Sequence, residues 1–228
     1  MNSSAYPVLP LTLLLQEAEK FDVTNKRVVP RLLGRCEVTG KKALPSLLEK
    51  SAASGKMALR QLFVSSSISG DRLLEEESIA SANGKHCLRQ EAKLCVWSGR
   101  KCHPDDLRTC QLTQIVAHFE FMTMNGGTRL EPLLNLLNGL RRKTDKQELW
   151  PTIAANVSPS LGGRSQVEAA VLSPSGEHLA VCLETRNWLG LKTRQSGLLY
   201  DIRDHEAVGR IVIGKRGPGQ KWGLERVV

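Results

Sequence analysis

Cys36-Glu37-Val38-Thr39-Gly40-Lys41-Lys42-Ala43-Leu44-Pro45-Ser46-Leu47-Leu48-Glu49-Lys50 is followed at once by Ser51-Ala52-Ala53-Ser54-Gly55-Lys56-Met57-Ala58-Leu59-Arg60-Gln61-Leu62-Phe63-Val64-Ser65. A hydroxyl residue, a glycine, a lysine, an alanine and three leucine or phenylalanine positions fall at the same offsets in both lines. Ser66, Ala80, Cys95 and Cys110 open further copies, and Phe21 opens an earlier one. Periods of this kind identify repeat architectures before any other feature is weighed. The consensus is Cys-x-x-[Ser/Thr]-Gly-[Lys/Arg]-x-[apolar/Cys]-x-Pro-x-x-Leu-x-x, and it covers residues 21–124. Its glycine recurs at 40, 55, 70, 84 and 99, with Asn25 in the first copy and Gln114 in the last.

Each part of the repeat has a physical reading. Glycine after Ser, Thr or Asn supplies the positive φ of a tight hairpin turn. Taking Ser98 and Gly99 as the two turn residues puts Trp97 opposite Arg100, Val96 opposite Lys101, and Cys95 opposite Cys102. Pro30, Pro45 and Pro104 then open a short helical turn, where a missing N–H matters least. Asp105 and Asp106 suit its positive end, and Leu33, Leu48 and Leu107 can pack back on the hairpin. No single unit buries enough surface to fold alone, so neighbours must stack or a metal must staple them.

Six cysteines are present. Cys87, Cys95, Cys102 and Cys110 occupy successive eighth, first, eighth and first positions. If adjacent hairpins stack, their thiols could converge on one closed, tetrahedral, structural Zn2+ site, with His86 and His103 as substitute ligands. The alternative is an array that has lost its metal, because Ser51, Ser66, Ala80 and Phe21 stand where other copies carry sulfur. A free cysteine is also a comfortable small core residue. Cys36 and Cys182 are expected to be unliganded, Cys182 within a strand.

On these residues the array resembles the treble-clef and zinc-ribbon class, in which a hairpin and a short helix share a metal. It also resembles the tandem Cys-x-x-Thr-Gly-Lys hairpin arrays of regions flanking bacterial Swi/Snf-type helicases, over roughly residues 21–140. That resemblance implies a nucleic-acid-processing setting and a helicase-like partner. It implies no ATPase, since the sequence has no Gly-x-x-x-x-Gly-Lys-[Ser/Thr] loop and no Asp-Glu-x-His segment.

Outside the array, the apolar run Val8–Leu15 is preceded by no Lys or Arg and followed by Gln16-Glu17-Ala18-Glu19-Lys20. This reads as a buried helix over 1–20 rather than a signal peptide. No run reaches the ~18–20 apolar residues of a membrane span, and a cytoplasmic protein without a membrane partner is expected. After a last strand over 118–124, Leu130, Leu133, Leu134, Leu136, Leu137 and Leu140 mark a connecting helix within 125–150, with Thr128 as candidate N-cap. Pro, Ser and Gly make 151–166 read as a linker. Residues 167–214 carry four strands in two hairpins, which resemble one blade of a WD-type propeller in the turn Ser173-Pro174-Ser175-Gly176-Glu177. One blade cannot close a ring. Residues 215–228 read as a basic tail.

The fold class expected is therefore α+β: tandem β-hairpin and short-helix repeats, then a helix and a small four-stranded antiparallel sheet. Net charge is +9 in 228 residues, with a pI near 9.5, which favours polyanionic partners. The cations after the turn glycines, Lys41, Lys56, Lys85 and Arg100, could form a ladder. Arg141, Arg142 and Lys143 end the connecting helix, and Lys215, Arg216 and Trp222 could follow a nucleic-acid backbone. Glu75-Glu76-Glu77 reads as a solvated face. The string Cys102-His103-Pro104-Asp105-Asp106 resembles the His-Pro-Asp-Asp box of zinc-dependent deacetylases. The repeat itself explains the proline and the acids, and no downstream His pair follows. No nucleophile elbow, His-Glu-x-x-His or Gly-x-Gly-x-x-Gly is present. The expectation is a non-enzymatic, nucleic-acid-associated adaptor, the alternatives being a protein-interaction scaffold and, remotely, the deacetylase.

Overall fold

The computed structural model describes residues 32–124, 126–140, 143–186, 193–217 and 221–228, with the backbone of 19–20 and 27–28. The fold is mixed, mostly strand with two α-helices among the described residues. The chain divides into two compact units, residues 1–91 and 92–228. The helix expected over 1–20 lies outside the described residues except at Glu19–Lys20, which pair as a strand with Arg27–Val28.

In the first unit, short antiparallel hairpins follow one another: Gly34–Arg35 with Lys42–Ala43, Leu48–Lys50 with Met57–Leu59, Phe63–Ser65 with Arg72–Leu74, and Ile79–Ala80 with His86–Cys87. One-turn 3-10 segments, Pro45–Leu47, Arg60–Leu62 and Glu75–Glu77, join each of the first three to the next. The loops hold four residues, not the two the Ser-Gly pair suggested. Cys36 donates its N–H to Lys41 O at 2.8 Å, and Gly40 donates to Cys36 O at 2.8 Å. The glycine is thus the last loop residue, at φ +73 in Gly40 and +77 in Gly55, a left-handed position that costs other residues about 1–2 kcal/mol. Such loops are commonly built round a type I turn. The fifth copy is one residue shorter, and its anchor is Ser81 rather than Ala80: Ser81 N bonds Lys85 O, and Gly84 N bonds Ser81 O.

Successive hairpins are tied through backbone. Glu37 N donates to Met57 O, Ala52 N to Arg72 O, and Ser67 N to His86 O, at 2.8–2.9 Å. Between these ties sits a small core of Cys36, Ala43, Leu48, Ala58, Leu59, Phe63 and Leu74. The eighth position is filled by Ala43, Ala58, Leu73 and Cys87, all buried, because its side chain points inward where hairpins meet.

The second unit continues with hairpins Lys93–Leu94 with Lys101–Cys102, Leu107–Thr109 with Val116–His118, and Met122–Thr123 with Arg129–Leu130. Helix α1, Glu131–Leu137, follows with Leu130 as N-cap rather than Thr128. The stretch read as a linker contains a second helix, α2, Trp150–Leu161. Pro151 falls in its first turn and Gly162 ends it at φ +70, the usual placement of both residues. Its Ile153, Val157 and Leu161 recur every four residues and are buried.

The sheet has five strands, not four: β1 Arg164–Leu172, β2 His178–Arg186, β3 Thr193–Asp201, β4 Glu206–Arg216 and β5 Trp222–Val227, each paired to the next. β5 comes from the expected tail, with Arg216 opposite Trp222. Alternation gives each strand two faces. One face, including Val167, Leu179, Val181, Leu183, Leu198 and Tyr200, packs on α2. The other, including Ala169, Ala180, Cys182, Leu199 and Val212, packs on α1 and on Trp97, Leu112 and Ile115 of the hairpins. Gly197 lets α1 close on the sheet, since an added Cβ would stand 3.0 Å from Leu137 and 3.1 Å from Leu133. The free edge of β1 is partly covered by 143–145: Ala170 N donates to Lys143 O, and Leu172 N to the Asp145 carboxylate at 2.9 Å.

Candidate functional site

The anchor residues Cys36, Ser51, Ser66, Ser81, Cys95 and Cys110 are all buried, whether they carry sulfur or oxygen. Cys36 Sγ accepts from Thr39 N at 3.4 Å. Burial pushes this thiol up, but the Thr39 hydroxyl and the Thr39, Leu59 and Val38 amides outweigh it, holding Cys36 below the usual thiol range. Cys95 Sγ accepts from Ser98 N and His118 N, and Cys110 Sγ from Leu130 N. Serine does something else with the same place. Ser51 donates to Glu77 Oε2 and Ser66 to Glu91 Oε2, each at 2.6 Å. Glu77 and Glu91 each occupy the twelfth position of the next repeat, where Leu62 and Phe121 serve the cysteine copies Cys36 and Cys95. Burial raises both carboxyls, yet the serine donors and nearby amides bring them below the usual range. Glu77 is therefore no simple member of a solvated run.

The four thiols proposed as one metal site are placed as follows. Cys87 lies in the first unit and Cys95, Cys102 and Cys110 in the second. Cys102 is opposite Lys93, and Cys95 closes the loop on Arg100, so the two sulfurs are diagonal rather than directly paired. Burial, then the nearby Cys95, raises the Cys102 thiol, and burial followed by Glu91 raises Cys87. Cys182 lies within β2, where burial and Glu168 push its thiol up to about 12. Among the described residues, no three His, Cys, Asp or Glu side chains are grouped so as to hold a metal ion. His103, in the deacetylase-like string, caps its own 3-10 turn by accepting from Asp105 N at 3.1 Å.

The expected cations have diverse places. Lys41, Lys56 and Lys85 are exposed where their loops close, and Asp71 occupies the same position in the loop between those of Lys56 and Lys85. Arg100 pairs with Glu120, and Lys215 pairs with Glu225 at 3.5 Å. Arg216 donates to Leu137 O at 2.8 Å and to Leu136 O, capping the end of α1, and pairs with Glu168. Trp222 is buried in the core beside α1, its amide held by Asn138 Oδ1 at 2.9 Å; a stacking role had required an exposed ring. Lys143 is exposed, and Arg141 and Arg142 lie outside the described residues.

The first unit also has a groove that sequence reasoning missed. It has a volume of about 370 Å³ and is lined by Val38, Gln61, Leu62, Leu74, Glu75 and Glu76. Three successive copies contribute: a loop residue from one, the 3-10 turn from the next, and the start of the 3-10 turn from the third. The signal was present in the alignment of the copies, where apolar residues recur at the third position and, in the copies opened by Phe21, Cys36, Ser51 and Cys110, at the twelfth. Compared with family models, with curated proteins and with solved structures, the chain matches none of them.

Proposed function

We propose that the chain is a non-enzymatic binding module, built on tandem hairpin repeats of a degenerate zinc-ribbon kind, whose first unit receives an extended segment of a protein partner. The groove supports this reading. Its volume lies toward the small end of ligand sites, which run to roughly 300–1,000 Å³, and it would take a few side chains rather than a folded surface. Val38, which lines it, is 38% exposed, and Ile68, at the same loop position one copy beyond the next, is 51% exposed. Selection of displayed random peptides against the full chain tests the reading. Enriched peptides should lose binding to the Val38→Asp variant; enrichment indifferent to that change counts against it.

A second reading keeps the module in a nucleic-acid-processing complex with direct nucleic-acid contact. What favours it is the exposure of Lys41, Lys56 and Lys85 at one loop position. Phosphate contact makes log K fall linearly with log salt, by about 0.9 per neutralised phosphate on a duplex. Titration of duplex DNA and single-stranded RNA at several salt concentrations measures this; absent or salt-independent binding removes the reading. Structural zinc belongs to the same proposal. Metal analysis of protein purified without chelator should find stoichiometric Zn2+ if the thiols retain it.

A further inference from the structure

We propose that the segment taken by the first-unit groove is basic: an extended stretch in which Lys or Arg flanks a branched apolar side chain. This rests on the groove being a protein-docking site and names the class of partner. The groove's apolar lining is Val38, Leu62 and Leu74, beside Gln61. Its charged wall is Glu75 and Glu76, which are exposed, and neither carboxylate takes an ion-pair or hydrogen-bond partner among the described residues. Neighbouring acids are differently placed: Glu77 accepts from Ser51, and Glu49 pairs with Arg72 at 3.4 Å. Two adjacent carboxylates bordering an apolar lining repel one another and attract a cation, more strongly as a bound segment excludes water.

The second unit shows, on its own residues, what this loop face accepts. There the third-position residues Trp97 and Leu112 are buried in one cluster with Ala180, Cys182 and Leu199 of the sheet. The fourth-position carbonyl of Thr113 receives Arg210 N of strand β4 at 2.8 Å. The covering element is thus extended backbone with apolar side chains. In the first unit the equivalent Val38 and Ile68 are exposed. An extended segment matches that face, and Glu75 with Glu76 selects positive charge on it.

The test uses the full chain and three fluorescein-labelled peptides: Gly-Lys-Leu-Arg-Val-Lys-Gly, its neutral counterpart Gly-Ser-Leu-Gln-Val-Ser-Gly, and the acidic Gly-Glu-Leu-Glu-Val-Glu-Gly, read by fluorescence anisotropy. The protein's net charge of +9 disfavours non-specific attraction of the basic probe, so its capture has to be local. The basic peptide should bind about tenfold more tightly than the neutral one, and the acidic one should not bind. The double variant Glu75→Lys/Glu76→Lys should remove that advantage while leaving circular dichroism and melting unchanged, since both side chains are exposed. Val38→Asp should abolish binding of every peptide. If the neutral peptide binds as well as the basic one and Val38→Asp abolishes both, the docking site stands and the basic assignment falls. If the basic peptide binds but ignores the Glu75→Lys/Glu76→Lys change, the assignment falls again. Binding by none of the three overturns both.

Discussion

Gln114 occupies the place that glycine holds in the loops closed by Gly40, Gly55, Gly70 and Gly99. It adopts φ +62, and its N–H donates to Cys110 O at 2.8 Å as those glycines do to their own first residues. A non-glycine residue held left-handed costs about 1–2 kcal/mol. Gln114→Gly relieves that strain, against about 0.4–1 kcal/mol of extra freedom given to the unfolded chain. The lost bond from Gln114 Nε2 to Gln111 O, at 3.2 Å and solvent-exposed, subtracts little. The net expectation is about 0.5–1 kcal/mol of stabilisation. All four tryptophans, at 97, 150, 188 and 222, fall within the second unit, so urea denaturation followed by tryptophan fluorescence reports the unit that contains Gln114. The midpoint should rise at unchanged slope. Gly99→Ala is the control of opposite sign: φ is +68 there, and the new Cβ would stand 3.0 Å from Ser175 Cβ. A lower midpoint for Gln114→Gly, or no loss for Gly99→Ala, would refute the left-handed loop account.

Ser51→Ala removes the donor to Glu77 and should cost about 1–2 kcal/mol at pH 7, read by circular dichroism during urea unfolding. Because the Glu77 carboxyl is held below its usual range, its contribution is present above the unfolded-state pKa and is lost as pH falls through the folded one. The penalty should therefore shrink near pH 3, and an equal penalty at both pH values would contradict the clamp. Gly197→Ala forces a methyl against Leu133 and Leu137 and should cost about 1–3 kcal/mol; fluorescence-monitored unfolding at wild-type urea concentration would deny the close approach of α1. Cys102 is the only one of the six thiols that is not fully buried. One thiol should react with an aromatic disulfide reagent in the folded protein, slowed by its raised pKa, and five only after unfolding, whereas several thiols reacting before unfolding would show the buried assignments to be wrong.

The chain's own order determined the local parts of this protein. Five of the recurring glycines fall at left-handed loop ends, because no side chain is needed from distant residues to make that conformation favourable. Pro45 and Pro104 open 3-10 turns for a similarly local reason. The same logic overlooked α2, although Ile153, Val157 and Leu161 carry its spacing, since Ser158, Pro159, Gly162 and Gly163 suggested a break. Tertiary structure decided the rest. Loop size, and with it the diagonal placing of Cys95 and Cys102, depends on which amide meets which carbonyl across the hairpin. Trp222 lies in a basic, glycine-rich stretch and enters the core only because β5 pairs with β4, and Arg216 stops being a free cation once the carbonyls of Leu136 and Leu137 reach it. Local periodicity constrains neighbours along the chain, whereas burial and the final partner of a charge are set by segments that meet only after folding.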